Sequence, residues 1–255
     1  MDKTQAGHIT TATENRICTI TFFHPMHNSL PGKLLGDFRD AIYEAGASED
    51  NDLIVIQSEG ERTYCAGASF HELVAIEDFP TGKTFFMGFA NVINAIRKCG
   101  KIVIGRVHGK AIGGGVGIAS ACDYCMATKF ASIKLSELAV GIGPFVIGPA
   151  VERKVGLSAF SQMALNATEW QTAEWAKQKG LFTEVFETSK ELDEYITHFT
   201  TNLVNKNPEA LTLLKGVFWK GTEHWDDLLE ERAEMSGSLV LSDYAKNSIR
   251  GFLKR

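Results

Sequence analysis

No stretch of the chain strings together the roughly 18 apolar residues that a bilayer-spanning helix needs. The opening Met1-Asp2-Lys3-Thr4-Gln5 lacks the apolar centre of a secretory signal. Both absences point to a cytoplasmic protein that does not enter a membrane. An excess of positive charge is missing as well, since 26 Lys and Arg against 31 Asp and Glu leave a net charge of -5. Without a basic field to gather phosphate backbones, nucleic acid is disfavoured as a partner, although local basic groups can still meet a small phosphorylated ligand. Cysteine is sparse and odd in number. Cys18, Cys65, Cys99, Cys122 and Cys125 are scattered among apolar residues, which reads as reduced, buried thiols and not as a disulfide framework. Cys122-Asp123-Tyr124-Cys125 has the spacing of a metal or redox half-site, but no second Cys pair or His-x-His arrangement completes it. A structural role and no metal are the expectation. Low-complexity tracts, clean linkers and repeats at a fixed period are also absent.

What is present is an ordinary globular composition: 255 residues, 44% hydrophobic and 22% charged, enough for one main domain with an appendage. Ile17 to Phe23 is β-branched and aromatic, and the turn-rich His24-Pro25-Met26-His27-Asn28-Ser29 ends it. Leu34, Phe38, Ala41, Ile42 and Ala45 share one helical face. Leu53 to Gln57 and Ile102 to Val107 read as buried strands, and Phe85, Phe89, Val92, Ile93 and Ile96 mark a helix between them. Glu72 to Thr84 shows no clear periodicity and reads as a mobile connection suited to a lid. Tyr124 to Thr128 and Ser132 to Leu135 are further extended candidates. The later segments Ala159 to Leu165, Thr172 to Lys179, Leu192 to Val204, Glu209 to Trp219 and Asp226 to Leu241 carry helical spacing. An α/β core with a helical extension follows from this order.

Two glycine-bearing segments hold the chemistry. Tyr64-Cys65-Ala66-Gly67-Ala68-Ser69-Phe70 and Gly109-Lys110-Ala111-Ile112-Gly113-Gly114-Gly115-Val116-Gly117 each follow a strand and run toward a helix. At such turns small residues let backbone approach a ligand, and the unpaired N–H groups of the next helix point at it. Two such turns together can offer two N–H donors to one oxygen, the arrangement of an oxyanion hole. Neither a dinucleotide G-x-G-x-x-G after the first strand nor a Walker Gly-Lys-Ser/Thr is present.

In order and spacing these segments resemble the crotonase superfamily, the enoyl-CoA hydratase and isomerase family. The likeness extends to Pro25 and Asn28, to Cys122-Asp123-Tyr124, to Leu135-Ser136-Glu137-Leu138-Ala139-Val140-Gly141, and to Ala173-Glu174-Trp175-Ala176-Lys177-Gln178-Lys179-Gly180-Leu181. The resemblance implies an α/β crotonase-like spiral of repeated ββα units over residues 1–190. A C-terminal helical oligomerisation region over residues 191–255 would support a homotrimer or a dimer of trimers. It also implies an acyl-CoA thioester as substrate, with no separate cofactor. By position, the backbone N–H groups of Ala68 and Gly114 would hold the thioester oxygen. Ala66, Gly67, Ala68, Ser69, Phe70, His71, Gly113 and Gly114 would line the substrate site.

Glu137 matches one of the two glutamates that family hydratases carry, whereas Gly117 stands where the other would be. One carboxylate suffices to shuttle a proton along an allylic system, while hydration needs water positioned between two. The expectation is therefore an isomerase of fatty-acid type with Glu137 as base, its pKa raised by Leu135, Leu138, Val140 and Phe145 nearby. The segment Gly141-Ile142-Gly143-Pro144-Phe145 and Asn28-Ser29-Leu30 resemble those of Δ3,Δ2-enoyl-CoA isomerases. Ser69 replaces an expected aspartate. A hydratase (a lyase) for a branched or methylglutaconyl-type substrate, a decarboxylase, and a non-catalytic member that binds acyl-CoA or RNA stand as alternatives. His71 and His108 are weaker candidates, as groups beside a CoA phosphate. Trp170, Trp175, Phe182, Phe218, Trp219 and Trp225 read as core or subunit contacts.

Overall fold

The computed structural model describes residues 7–254; the N-terminal Met1-Asp2-Lys3-Thr4-Gln5 read above lies outside them. In chain order the elements are β1 (His8–Glu14), β2 (Ile17–Phe23), β3 (Ser29–Leu30), α1 (Gly32–Ala47), β4 (Leu53–Ser58), β5 (Thr63–Cys65), β6 (Gly67–Ala68), α2 (Phe70–Ala75) and α3 (Phe79–Lys98). They continue with β7 (Ile102–Val107), β8 (Lys110–Ile112), α4 (Gly114–Ala121), β9 (Tyr124–Thr128), β10 (Ser132–Lys134), a 3₁₀ turn at Glu137–Val140 and α5 (Gly148–Leu165). The remainder is β11 (Gln171–Thr172), α6 (Ala173–Gln178), β12 (Glu184–Phe186), α7 (Ser189–Val204), α8 (Pro208–Phe218), α9 (Trp225–Leu239) and α10 (Asp243–Leu253).

The strands sort into a six-stranded sheet in the order β1-β2-β4-β7-β9-β12, a four-stranded sheet β11-β10-β8-β5, and the pair β3-β6. Each repeat sends one long strand to the large sheet, a short strand to a smaller one, and then a helix. β2-β3-α1, β7-β8-α4 and β9-β10-α5 follow this plan, and the repeat begun by β4 carries β5 and β6 before α2 and α3. The ββα spiral is thus the observed architecture. β2, β4, β7, β9 and β12 run parallel, with Ile17 beside Leu53 and Leu53 beside Ile102. The near-continuous apolar start of the inner strands β4 and β7 follows from burial on both faces. Ile54 and Ile56 enter the main core with Phe22, Phe38, Tyr64 and Ile93. Leu53 and Val55, pointing the opposite way, pack with Ile102, Ile104, Leu192, Ile196 and Leu211 beneath α7 and α8.

Residues 72–84 are not the irregular lid that their sequence suggests. Glu72 belongs to α2, and α3 begins at Phe79, where Asp78 Oδ1 accepts from the Thr81 N–H at 2.8 Å and Pro80 occupies the first turn. Cap and proline start the helix without an apolar stripe, and Lys83 ties its first turns to Glu230 and Glu234 of α9 at 2.6 and 2.8 Å. β1 also went unread, because it is an exposed edge hairpin strand with no apolar alternation. Among the described residues no helix is long and apolar enough to cross a membrane. All five cysteines are free and buried. Burial pushes the Cys125 thiol up to about 12 and Cys122 well above its ordinary value, which disfavours the thiolate that metal binding or redox exchange needs. Trp219 and Trp225 are buried against each other, whereas Trp170 is exposed between Lys110 and Lys134.

Candidate active site

Asn28 sets the geometry of the first turn. Held at φ 57, it accepts from the His24 N–H at 3.0 Å and donates to the Glu59 and Thr63 carbonyls at 2.8 and 2.9 Å. The chain emerging from it, β3, pairs in parallel with β6, Ser29 beside Gly67 and Leu30 beside Ala68. Gly67 sits at φ +80, and a methyl group there would lie 2.7 Å from the Ile112 carbonyl oxygen and 3.3 Å from the Gly114 nitrogen. The backbone of the first glycine segment therefore lies directly against the second. Ser69, in place of an aspartate, caps α2 by accepting from the Glu72 N–H at 3.4 Å.

The second turn is held by strand pairing too. β8 and β10 are parallel, and the Gly113 N–H donates to the Lys134 carbonyl at 2.8 Å. Gly113 then turns at φ +51 so that α4 starts at Gly114; the Val116 and Gly117 N–H groups donate to the Gly113 carbonyl at 2.8 and 3.1 Å, and those of Gly114 and Gly115 come too early for an acceptor within the helix. Three residues past Lys134, on the adjacent strand's exit, stands Glu137. A methyl group on Gly113 would lie 2.7 Å from Glu137 Oε1, so a side chain there would displace the carboxylate from this position. Glu137 Oε2 is buried with no hydrogen-bond partner. Desolvation pushes the Glu137 carboxyl up to about 7, against a smaller lowering by backbone N–H groups of Glu137 and Ser136.

Gly117 faces the same region from the second turn of α4. A methyl group on it would meet Ile147 Cγ2 at 2.5 Å and Cβ at 2.6 Å. The space a side chain at 117 would need is filled by Ile147, just before α5. Gly117→Ala is expected to cost about 1–3 kcal/mol by overpacking, and a second change, Ile147→Ala, to recover most of it. Denaturant unfolding of the two variants checks this, and an undisturbed single variant would refute it.

The residues named from the sequence line two connected cavities. Ala66, Gly67, Ala68, Phe70, Gly113, Gly114 and Glu137 line an inner one, walled also by Phe86, Phe89, Phe145 and Ile147. Ala66, Ala68, Ser69, Phe70, His71 and Lys134 line an outer groove of about 350 Å³ that shares Ala66, Ala68, Phe70, Ser136 and Val140 with the inner cavity. His71 is exposed there. His108 is in neither; it is buried, and burial lowers its pKa to about 4. Phe252 and Leu253 of α10 line the groove and were missed, though Ala245, Ile249, Phe252 and Leu253 have helical spacing. α10 is fastened by the Lys246 ammonium, which donates to the carbonyls of Leu73, Val74 and Ile76 at the end of α2. No group of three or more His, Cys, Asp or Glu able to hold a metal occurs among the described residues.

The chain as a whole is similar to known proteins. A sequence model described as enoyl-CoA hydratase/isomerase matches residues 12–255. The peroxisomal Delta(3,5)-Delta(2,4)-dienoyl-CoA isomerase of Arabidopsis thaliana is 27% identical over 91% of this chain and 87% of its own. The short-chain-enoyl-CoA hydratase of Clostridium acetobutylicum is 26% identical over 95% of this chain and 93% of its own. Among solved structures, an enoyl-CoA hydratase from Bacillus halodurans superposes with a TM-score of 0.88 at 21% identity, covering 95% of this chain and 99% of that one.

Proposed function

Because the chain belongs to the enoyl-CoA hydratase/isomerase family of acyl-CoA enzymes, we propose that it shifts a double bond in an enoyl-CoA, with Glu137 carrying the proton. The observation that carries this reading is Ile147 against Gly117: it leaves Glu137 as the one ionisable side chain lining the inner cavity among the described residues. In the proposed step the Glu137 carboxylate takes a proton from C2 of a 3-enoyl thioester. The electron pair spreads over the dienolate to the thioester oxygen, where the backbone N–H groups of Ala68 and Gly114 receive it. The carboxylic acid then returns the proton at C4, and the double bond closes between C2 and C3. One preorganised donor to such an oxygen is worth about 3–4 kcal/mol. The polarity of the two cavities supports the assignment, since Lys134 and His71 stand at the outer groove, where a phosphorylated carrier belongs, and the inner walls are apolar.

Hydration needs an activated water where Ile147 now presents aliphatic carbon, and decarboxylation needs a carboxylated substrate. Incubation with 3-enoyl-CoA and 2-enoyl-CoA, read by chromatography coupled to mass spectrometry, separates the three. Expected is a 2-enoyl product of unchanged mass from the 3-enoyl substrate. Gain of water as the main outcome, or loss of CO₂ from a carboxylated analogue, would replace this reading. Assembly as a trimer or a dimer of trimers belongs to the same proposal, supported by apolar residues left on α8, where Leu213 and Val217 are 65% and 67% exposed.

A further inference from the structure

We infer that the inner cavity takes a short acyl group that carries no charge, so that enoyl thioesters ending in a carboxylate are excluded. This rests on the reading of the site as an acyl-CoA site and adds the class of acyl group. Charge is the first argument. Glu137 is the single ionisable side chain among the described lining residues, and its Oε2 already lacks a partner. The only other polar side chains there are Ser136 and Ser236, and Ser236 Oγ donates to the Arg232 carbonyl at 3.1 Å. Three lysines are engaged or outside, since Lys83 holds Glu230 and Glu234, Lys246 holds three carbonyls and Lys134 lines the outer groove; Arg232, half-buried one turn before Ser236, rests on Met235 Sδ at 3.7 Å and does not line the cavity. A second carboxylate would lie buried beside Glu137 with no counterion, which is a strongly unfavourable placement.

Size is the second argument. The inner cavity is about 50 Å³, well below the roughly 150 Å³ of an apolar cavity that admits benzene. Three of its wall side chains are packed against glycine backbone. A methyl group on Gly114 would meet Phe89 Cε1 at 2.1 Å, one on Gly143 would meet Phe145 Cζ at 2.3 Å, and one on Gly117 would meet Ile147 Cγ2 at 2.5 Å. Phe89, Phe145 and Ile147 are thus already seated on backbone.

The test is calorimetric binding of saturated thioesters to the intact protein at a pH above 7, with pentanoyl-CoA, dodecanoyl-CoA and the mono-CoA thioester of the five-carbon dicarboxylic acid. Pentanoyl-CoA is expected to bind about 100-fold tighter than its carboxylated counterpart and about 10-fold tighter than dodecanoyl-CoA. Glu137→Gln is expected to narrow the first gap by relieving repulsion, and Phe145→Ala the second. Equal affinity for the charged and uncharged five-carbon groups, or dodecanoyl-CoA as tight as pentanoyl-CoA, would overturn the inference. Because these ligands do not react, a wrong assignment of isomerase against hydratase leaves the outcome untouched, whereas failure of all three to bind would overturn the acyl-CoA reading with it.

Discussion

Replacing Glu137 by glutamine is expected to lower turnover of a 3-enoyl-CoA by about 10²- to 10⁴-fold. The amide fits the same space beside Gly113 but cannot take a proton, so the loss belongs in kcat while KM stays nearly constant. The pH profile sharpens the test. A base works best with its pKa near the operating pH, and burial pushes the Glu137 carboxyl up to about 7. In the native protein kcat/KM should rise with pH through this value and flatten above it. Glu137→Gln should abolish that limb. Retention of most of the turnover, or an unchanged profile in the variant, would remove Glu137 from the mechanism.

The same shift has a thermodynamic signature independent of any substrate. A carboxyl whose folded pKa lies above its unfolded one binds its proton more tightly when folded. Its stabilising contribution is complete below the ordinary value of 4.5 and is lost as pH rises through about 7. Stability of the native protein relative to Glu137→Gln should therefore decline across that window and level off beyond it. The carboxylate proposed as the base is thus one the protein folds around at a cost.

How much of this was legible in the sequence depended on where the physical signal lay. The convergence of Ala68, Gly114 and Glu137 on one cavity was readable because small residues and a carboxylate stand at fixed places along strand-to-helix turns, and strand pairing carries those places into space. Gly117 showed that a carboxylate was missing but not what replaced it; Ile147 reaches it from another repeat, and no local pattern reports a contact 30 positions away. Phe86 of α3 and Phe252 of α10 were invisible as site residues for the same reason: each is chosen by apolar packing, which looks alike in core and in cavity wall. The start of α3 failed differently. Its cap at Asp78 and Pro80 was present in the sequence, but Gly82 and a partly exposed first turn erased the apolar period on which the reading relied.

Asp123→Ala is expected to destabilise the fold by about 3–5 kcal/mol. The sequence placed Asp123 inside a possible cysteine half-site, yet its chemistry is that of an anchor. Its Oδ2 accepts from the Lys215 ammonium at 2.6 Å and the Val103 N–H at 2.8 Å, its Oδ1 from the Trp219 indole at 2.7 Å, and its carbonyl from Lys154 at 2.9 Å. The Lys215 and Asp123 side chains are 3% and 2% exposed. One carboxylate thus joins β7 of the large sheet to α8 and the residue that follows it. Removing it strands a buried ammonium, an indole N–H and a strand N–H together, so the cost is the desolvation of all three and not merely one lost bond. In a chain of this size that corresponds to a midpoint lowered by about 10 °C. Asp123→Asn combined with Lys215→Met removes both charges and should recover at least half of the loss, because a buried pair contributes little beyond an apolar substitute while a broken pair is severe. Thermal and denaturant unfolding of the single and double variants reads both effects. A single-variant loss below about 1 kcal/mol, the value of an exposed ion pair, would mean that water reaches Lys215 and that the helical extension is not held by this residue.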